Sequence, residues 1–189
     1  MASAGLSFYS NMAFGPAYFD FFTAELPRLV RRYFPISDKR EDNFVAGTSM
    51  GGYGALKLGL SRPDMYSAIG SFSLGAFMHG DTTAMANYPE LMMLIKMVFG
   101  VDGASELIGT EHDPIALAEK AIASGVQLPR IYHICGTDDH PSILSTARTT
   151  RDLLQKRAID YTYHEGPGGH TWDFWDEWIQ KFLAWLYQV

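Results

Sequence analysis

The 189-residue chain contains a single cysteine, Cys135, so no disulfide can form within it, and no Cys/His spacing typical of a zinc site is present. A reducing compartment is therefore permitted. Basic clusters are also missing beyond Arg31-Arg32. With 15 Lys+Arg against 21 Asp+Glu and a formal net charge of −6, the balance argues against a nucleic-acid partner. Long hydrophobic runs are absent as well. Leu91 to Phe99 is the most apolar stretch, but Lys96 interrupts it, and a membrane-spanning helix needs ~20 apolar residues. Met1 to Phe14 shows neither a basic segment nor a continuous apolar one, so no signal peptide is read and a cytoplasmic location is expected. No repeat or linker divides the chain. What is present is 47% hydrophobic and 14% aromatic content, enough for one domain whose core needs neither metal nor disulfide staples.

Periodicity then orders the elements. Tyr18 to Phe34 places Phe19, Phe22, Leu26, Leu29, Val30 and Tyr33 on one helical face, with a kink expected at Pro27. Asn43 to Gly47 reads as a short apolar strand running into a helix, Tyr53 to Leu60, which Arg62-Pro63-Asp64 closes. Ser67 to Ser73 is a second strand. An irregular, Met-rich, cap-like insert follows, over about 74–113. Pro114 to Ser124 is helical, Arg130 to Gly136 a third strand, Ser142 to Arg157 a helix and Ile159 to His164 a fourth strand. A last helix carries Trp175, Trp178, Ile179, Phe182 and Leu186 on one face. This alternation predicts an α/β fold, a mainly parallel sheet covered on both sides in one domain, 1–189.

Gly47-Thr48-Ser49-Met50-Gly51 matches G-x-S-x-G and lies between a strand and a helix, where the pattern has mechanical meaning. The turn would expose the Ser49 hydroxyl at the strand's carboxyl end and aim the Met50 amide at a developing oxyanion. A serine needs a base, and the base an orienting carboxylate. His170 sits in the glycine-rich loop after the fourth strand. His133, His79, His112 and His164 read as packed or solvated residues, with His140 a weaker alternative on loop position. Asp138 and Asp139 both follow the third strand, and position alone does not separate them. A metal site from Asp138, Asp139, His140 and His164 has no ligand spacing of known geometry. The order Ser, Asp, His is that of α/β-hydrolases.

Ser49 to Ala55 (Ser-Met-Gly-Gly-Tyr-Gly-Ala), Glu25-Leu26-Pro27, Cys135 to Asp139 and Gly168-Gly169-His170-Thr171-Trp172 together resemble the esterase D family of α/β-hydrolases, which includes S-formylglutathione hydrolase and tributyrin, acetyl-xylan and feruloyl esterases. The resemblance covers nearly the whole chain. It implies Ser49 as nucleophile, His170 as base and Asp139 as orienter, acting on small acyl esters or thioesters without a cofactor. It also implies that the chain lacks the family's N-terminal strands, and with them the loop that supplies a second oxyanion donor. An exposed sheet edge beside Asn43 to Gly47, homo-oligomerisation through it, and weak activity are the expected consequences. A hydrolase remnant acting as a binding module, or an acyltransferase using the same triad, are the alternatives. Met78, Met85, Met92, Met93, Met97 and Phe99 either line an acyl pocket or form an apolar cap on the core.

Overall fold

The computed structural model describes residues 3–75, 78–79 and 89–187; Met85, one of the methionines singled out above, lies outside them. Four strands, β1 (Phe44–Thr48), β2 (Ala68–Phe72), β3 (Arg130–Gly136) and β4 (Tyr161–Gly166), form one parallel sheet in the order β1-β2-β3-β4. Because all three pairings are parallel, the four carboxyl ends lie along one rim. Thr48 is level with Phe72, and Gly136 with Gly166.

Side-chain alternation along the strands gives the sheet two apolar faces. Ile69 and Ile131 face a cluster with Tyr53, Leu56 and Leu60 from α3 (Met50–Ser61), Ile95 and Val98 from α4 (Pro89–Phe99), and Ile115 and Leu117 from α5 (Pro114–Ala123). Ala68, Phe72, Tyr132 and Ile134 face Phe174, Trp175, Phe182 and Leu186 of α7 (Trp172–Leu186). The result is the expected α/β sandwich, with α6 (Pro141–Leu154) between β3 and β4. β2 is buried throughout, whereas β1 is half-exposed and pairs only with β2 among the described residues. The first described residues add no strand to it. Instead Asn11 bridges Ala17, and the Ala13 and Phe14 amides donate to Val98 and Met97 at the end of α4.

Four expectations need correction. The supposedly irregular insert contains α4, an eleven-residue helix that opens on Pro89, so its apolar run is helical packing. Tyr18 to Phe34 is a composite: one turn, α1 (Tyr18–Asp20), a π-turn (Phe21–Glu25) in which the Leu26 amide reaches back to Phe21 O, then α2 (Leu26–Tyr33). Pro27 cannot donate an i→i−4 bond and its ring crowds the Thr23 carbonyl, and the wider turn ahead of it relieves both. Leu29 and Tyr33 do not share the packed face; they are 50% and 70% exposed. β4 also begins two residues later than expected, so His164 lies within it.

Candidate active site

Ser49 directly follows β1 with φ +55° and ψ −120°, a region that only glycine enters freely. The structure around it fixes this conformation. The Ser49 amide donates to Phe72 O at 2.9 Å, and the Ser49 carbonyl accepts from Gly75, Gly52 and Tyr53 amides at 2.9, 2.9 and 3.3 Å. Gly47 is obligatory for the turn because a Cβ there would lie 2.2 Å from Gly51 O. α3 begins at Met50, whose amide is one of the helix's first N–H groups without an intrahelical acceptor and lies at the positive end of the helix dipole.

Two loops meet on the other side of the rim. Gly136 at the end of β3 touches the loop after β4 so closely that a Cβ would fall 2.1 Å from Gly168 O. The Asp138 amide donates to Gly168 O at 2.9 Å, and the Gly168 amide returns a bond to Asp138 Oδ2 at 3.0 Å. Asp138 thus clamps the histidine loop. Asp139 is the residue that reaches the imidazole: its two carboxylate oxygens lie 3.0 and 3.1 Å from His170 Nδ1, and Oδ1 also accepts from the His140 amide at 2.7 Å. The Asp139 side chain is fully buried while that of His170 is one-third exposed. Nδ1–H on Asp139 leaves Nε2 as the basic nitrogen of the neutral ring. The His170 ring stands edge-on to Trp175 with centroids 4.9 Å apart. A Ser49–His170 hydrogen bond is not among those the described residues make, and such contacts are often long in the absence of substrate.

The remaining histidines are engaged elsewhere. His140 caps α6 and contacts Ser142 Oγ at 2.8 Å. His133 is buried against the Tyr161 hydroxyl, and burial pushes its pKa down to about 3. His112 contacts Lys57 Nζ, His79 contacts Asp113, and His164 lies between the rings of Tyr132 and Trp178. Burial pushes the Cys135 thiol up to about 12, which makes it a poor nucleophile at neutral pH.

Beside Ser49 a groove of about 810 Å³ runs along the open side of β1, walled by Tyr9, Phe22, Leu26, Val30, Tyr66 and Trp172. Met78 is buried and Met92 and Phe99 pack against the same core, so these three form the apolar cap; Met93 and Met97 are exposed, and none of the five lines this groove. Tyr9 and Trp172 were not singled out as site residues in the sequence. Trp172 sits two residues after His170, and that proximity was the available signal.

A nucleophile turn, a buried carboxylate–imidazole pair and their chain order coincide with what is found among known proteins. The sequence profile of the Esterase family matches residues 9–186. This chain belongs to that family. An acetyl esterase of Caldicellulosiruptor saccharolyticus is 34% identical over 187 residues, which is 97% of this chain and 69% of that protein. Among solved structures, the Staphylococcus aureus fluorophosphonate-binding serine hydrolase FphF superposes with a TM-score of 0.81 at 31% identity, covering 98% of this chain and 69% of that one. The S-formylglutathione hydrolase FrmB of the same organism gives 0.78 at 32% identity, with 97% and 69% covered. The esterase is thus an α/β-hydrolase with serine carboxylesterase function. Among its described residues no helix is long and apolar enough to cross a membrane.

Proposed function

We propose that this esterase cleaves small acyl esters or thioesters through an acyl-enzyme on Ser49, with His170 as base and Asp139 as orienter. The Asp139–His170 Nδ1 hydrogen bond carries the assignment, because it selects the tautomer in which Nε2 can take the Ser49 proton. Ser49 Oγ attacks the carbonyl carbon, its proton passes to Nε2, and the carbonyl oxygen becomes an oxyanion facing the Met50 amide. Collapse expels the alcohol or thiol, which takes the proton from His170. Water, deprotonated by the same nitrogen, then releases the acid and restores Ser49. Asp139 stabilises the imidazolium in both halves. A short acyl group is supported by the acetyl esterase relative and the S-formylglutathione hydrolase neighbour, both above 30% identity.

The test is covalent labelling alongside turnover. An activated fluorophosphonate should modify Ser49 alone, and Ser49→Ala should abolish labelling and lower p-nitrophenyl acetate hydrolysis by ~10⁴-fold or more. Labelling at another serine, or hydrolysis that survives Ser49→Ala, would reject the assignment.

A further inference from the structure

The nucleophile and the base sit on elements that are far apart in sequence, and little connects them directly. Ser49 belongs to the β1–α3 turn, while His170 precedes α7. Attack requires Oγ and Nε2 to meet within hydrogen-bond reach, and an error of about 1 Å can cost ~10²-fold in rate. Something must therefore register one loop against the other.

The segment after β2 is attached to both. On one side it brackets Ser49: Phe72 O accepts the Ser49 amide and the Gly75 amide donates to the Ser49 carbonyl, each at 2.9 Å. In the middle of that bracket, Ser73 is held at φ +47°, and its amide donates to Ile134 O of β3 at 2.8 Å. A non-glycine residue in this left-handed region is strained, and here the strain turns the chain so that Gly75 reaches back to Ser49. The Ser73 hydroxyl accepts the indole N–H of Trp175 at 3.1 Å, a buried bond spanning 102 residues. The same indole stands edge-on to the His170 ring, with an interplanar angle of 82°. Trp172 backs Trp175 in turn, its ring 5.2 Å away.

We propose that Trp175 is a positioning residue, tying the His170 ring to the Ser49 turn through its hydrogen bond to the Ser73 hydroxyl. The tryptophan touches neither substrate nor reacting atoms. It acts through His170, limiting where the ring can swing while Asp139 fixes its tautomer. Trp175 carries the only N–H that a phenylalanine at its place would lack, so Trp175→Phe keeps a ring against His170 while cutting the link to Ser73. At the other end Ser73→Gly removes the acceptor while adopting the positive φ freely, so a loss there cannot come from added backbone strain.

The inference rests on the reading of Ser49 and His170 as nucleophile and base, so both are probed together. With p-nitrophenyl acetate, Trp175→Phe and Ser73→Gly should each lower kcat by about 10- to 100-fold, with KM within about twofold. The double variant should lose no more than the worse single one, because both remove the same bond. Circular dichroism at the assay temperature confirms that each variant is folded, and Ser73→Gly keeps the question open to measurement if Trp175→Phe fails to fold. Wild-type kcat in folded Ser73→Gly, or losses that multiply in the double variant, would overturn the link while leaving the triad intact. Activity that survives Ser49→Ala would instead overturn the underlying reading.

Discussion

The two sides of the catalytic rim are built differently. On the acid–base side, β3 and β4 pair along six positions, the two loops exchange a pair of hydrogen bonds through Asp138 and Gly168, and the Asp139 side chain has no solvent exposure. On the nucleophile side, β1 is an edge strand with an exposed centre at Ala46, and the groove opens along its length. One side is held by strand pairing and a loop-to-loop clamp, and the other by a tight turn: the strained Ser49 conformation, its bracket from Phe72 and Gly75, and the close approach of Gly47 to Gly51. Substitutions should therefore damage the two sides through different mechanisms.

The largest contrast is expected within the acid–base side. Asp139→Asn should lower kcat by ~10⁴-fold, since an amide at this position imposes the wrong imidazole tautomer. Asp138→Asn retains an oxygen acceptor for the Gly168 amide and should cost no more than about tenfold. Steady-state kinetics on both variants decides it, and comparable losses would show that the clamp matters as much as the orienter. On the nucleophile side Gly47→Ala should unfold the turn, because its Cβ would overlap backbone that cannot move away. A destabilisation of ~3 kcal/mol or more is expected in urea melts. Gly51→Ala meets only the Tyr9 hydroxyl at 3.3 Å and should remain folded. Equal stability of the two variants would break the claim that local geometry holds this side.

A third contrast concerns protons. Lys57, on the buried face of α3, lies against Ser10 Oγ at 2.5 Å and His112 Nδ1 at 2.8 Å, and burial pushes its pKa down to about 7. Burial likewise pushes His112 down to about 4 and His133 to about 3. For each group the unfolded chain binds more protons between the folded and unfolded pKa. Stability therefore rises with pH through that window, from about 7 to ~10.4 for Lys57 and from about 4 to ~6.5 for His112. Lys57→Met should flatten the alkaline rise and leave the acid limb in place, as read from urea midpoints between pH 4 and 10. An unchanged slope above pH 7 would place the charged lysine in a better-solvated setting than its 3% exposure indicates. The smallest effect is expected at the sheet edge. We propose that the 189-residue chain self-associates through β1, and that Ala46→Lys, which places a charge on the exposed edge, weakens association. Light scattering across a concentration series measures it, and a wild-type chain that stays monomeric at all concentrations would refute the edge argument.

What the sequence made readable was whatever depends on near neighbours in the chain. β3 runs over the expected residues because an apolar run bounded by Leu128-Pro129 and Gly136 has few other ways to fold, and the G-x-S-x-G turn carries its own geometry. The π-turn before Pro27 and the helix in the Met-rich insert escaped notice because each needs a local rule to be weighed against packing. Position along the chain does not separate Asp138 from Asp139, although the family resemblance implies Asp139; the loop hydrogen bonds do, with Asp138 on the Gly168 amide and Asp139 on the imidazole. The bond from Trp175 to Ser73 leaves no local signal at all: Ser73 is an ordinary serine after a strand, and its partner lies 102 residues away.

The strand order β1-β2-β3-β4 has a further consequence for how the molecule comes into being. Domains begin folding while they emerge from the ribosome, N-terminal part first. In a sheet laid down strictly in chain order, each new strand can dock on the one already made without displacing any. Under that sequence of events the serine turn takes shape first, the carboxylate loop second, and the imidazole arrives last with β4 and α7. An unfinished chain would then carry a nucleophile with no base, and hydrolytic power would be acquired only once β4 and α7 have been made.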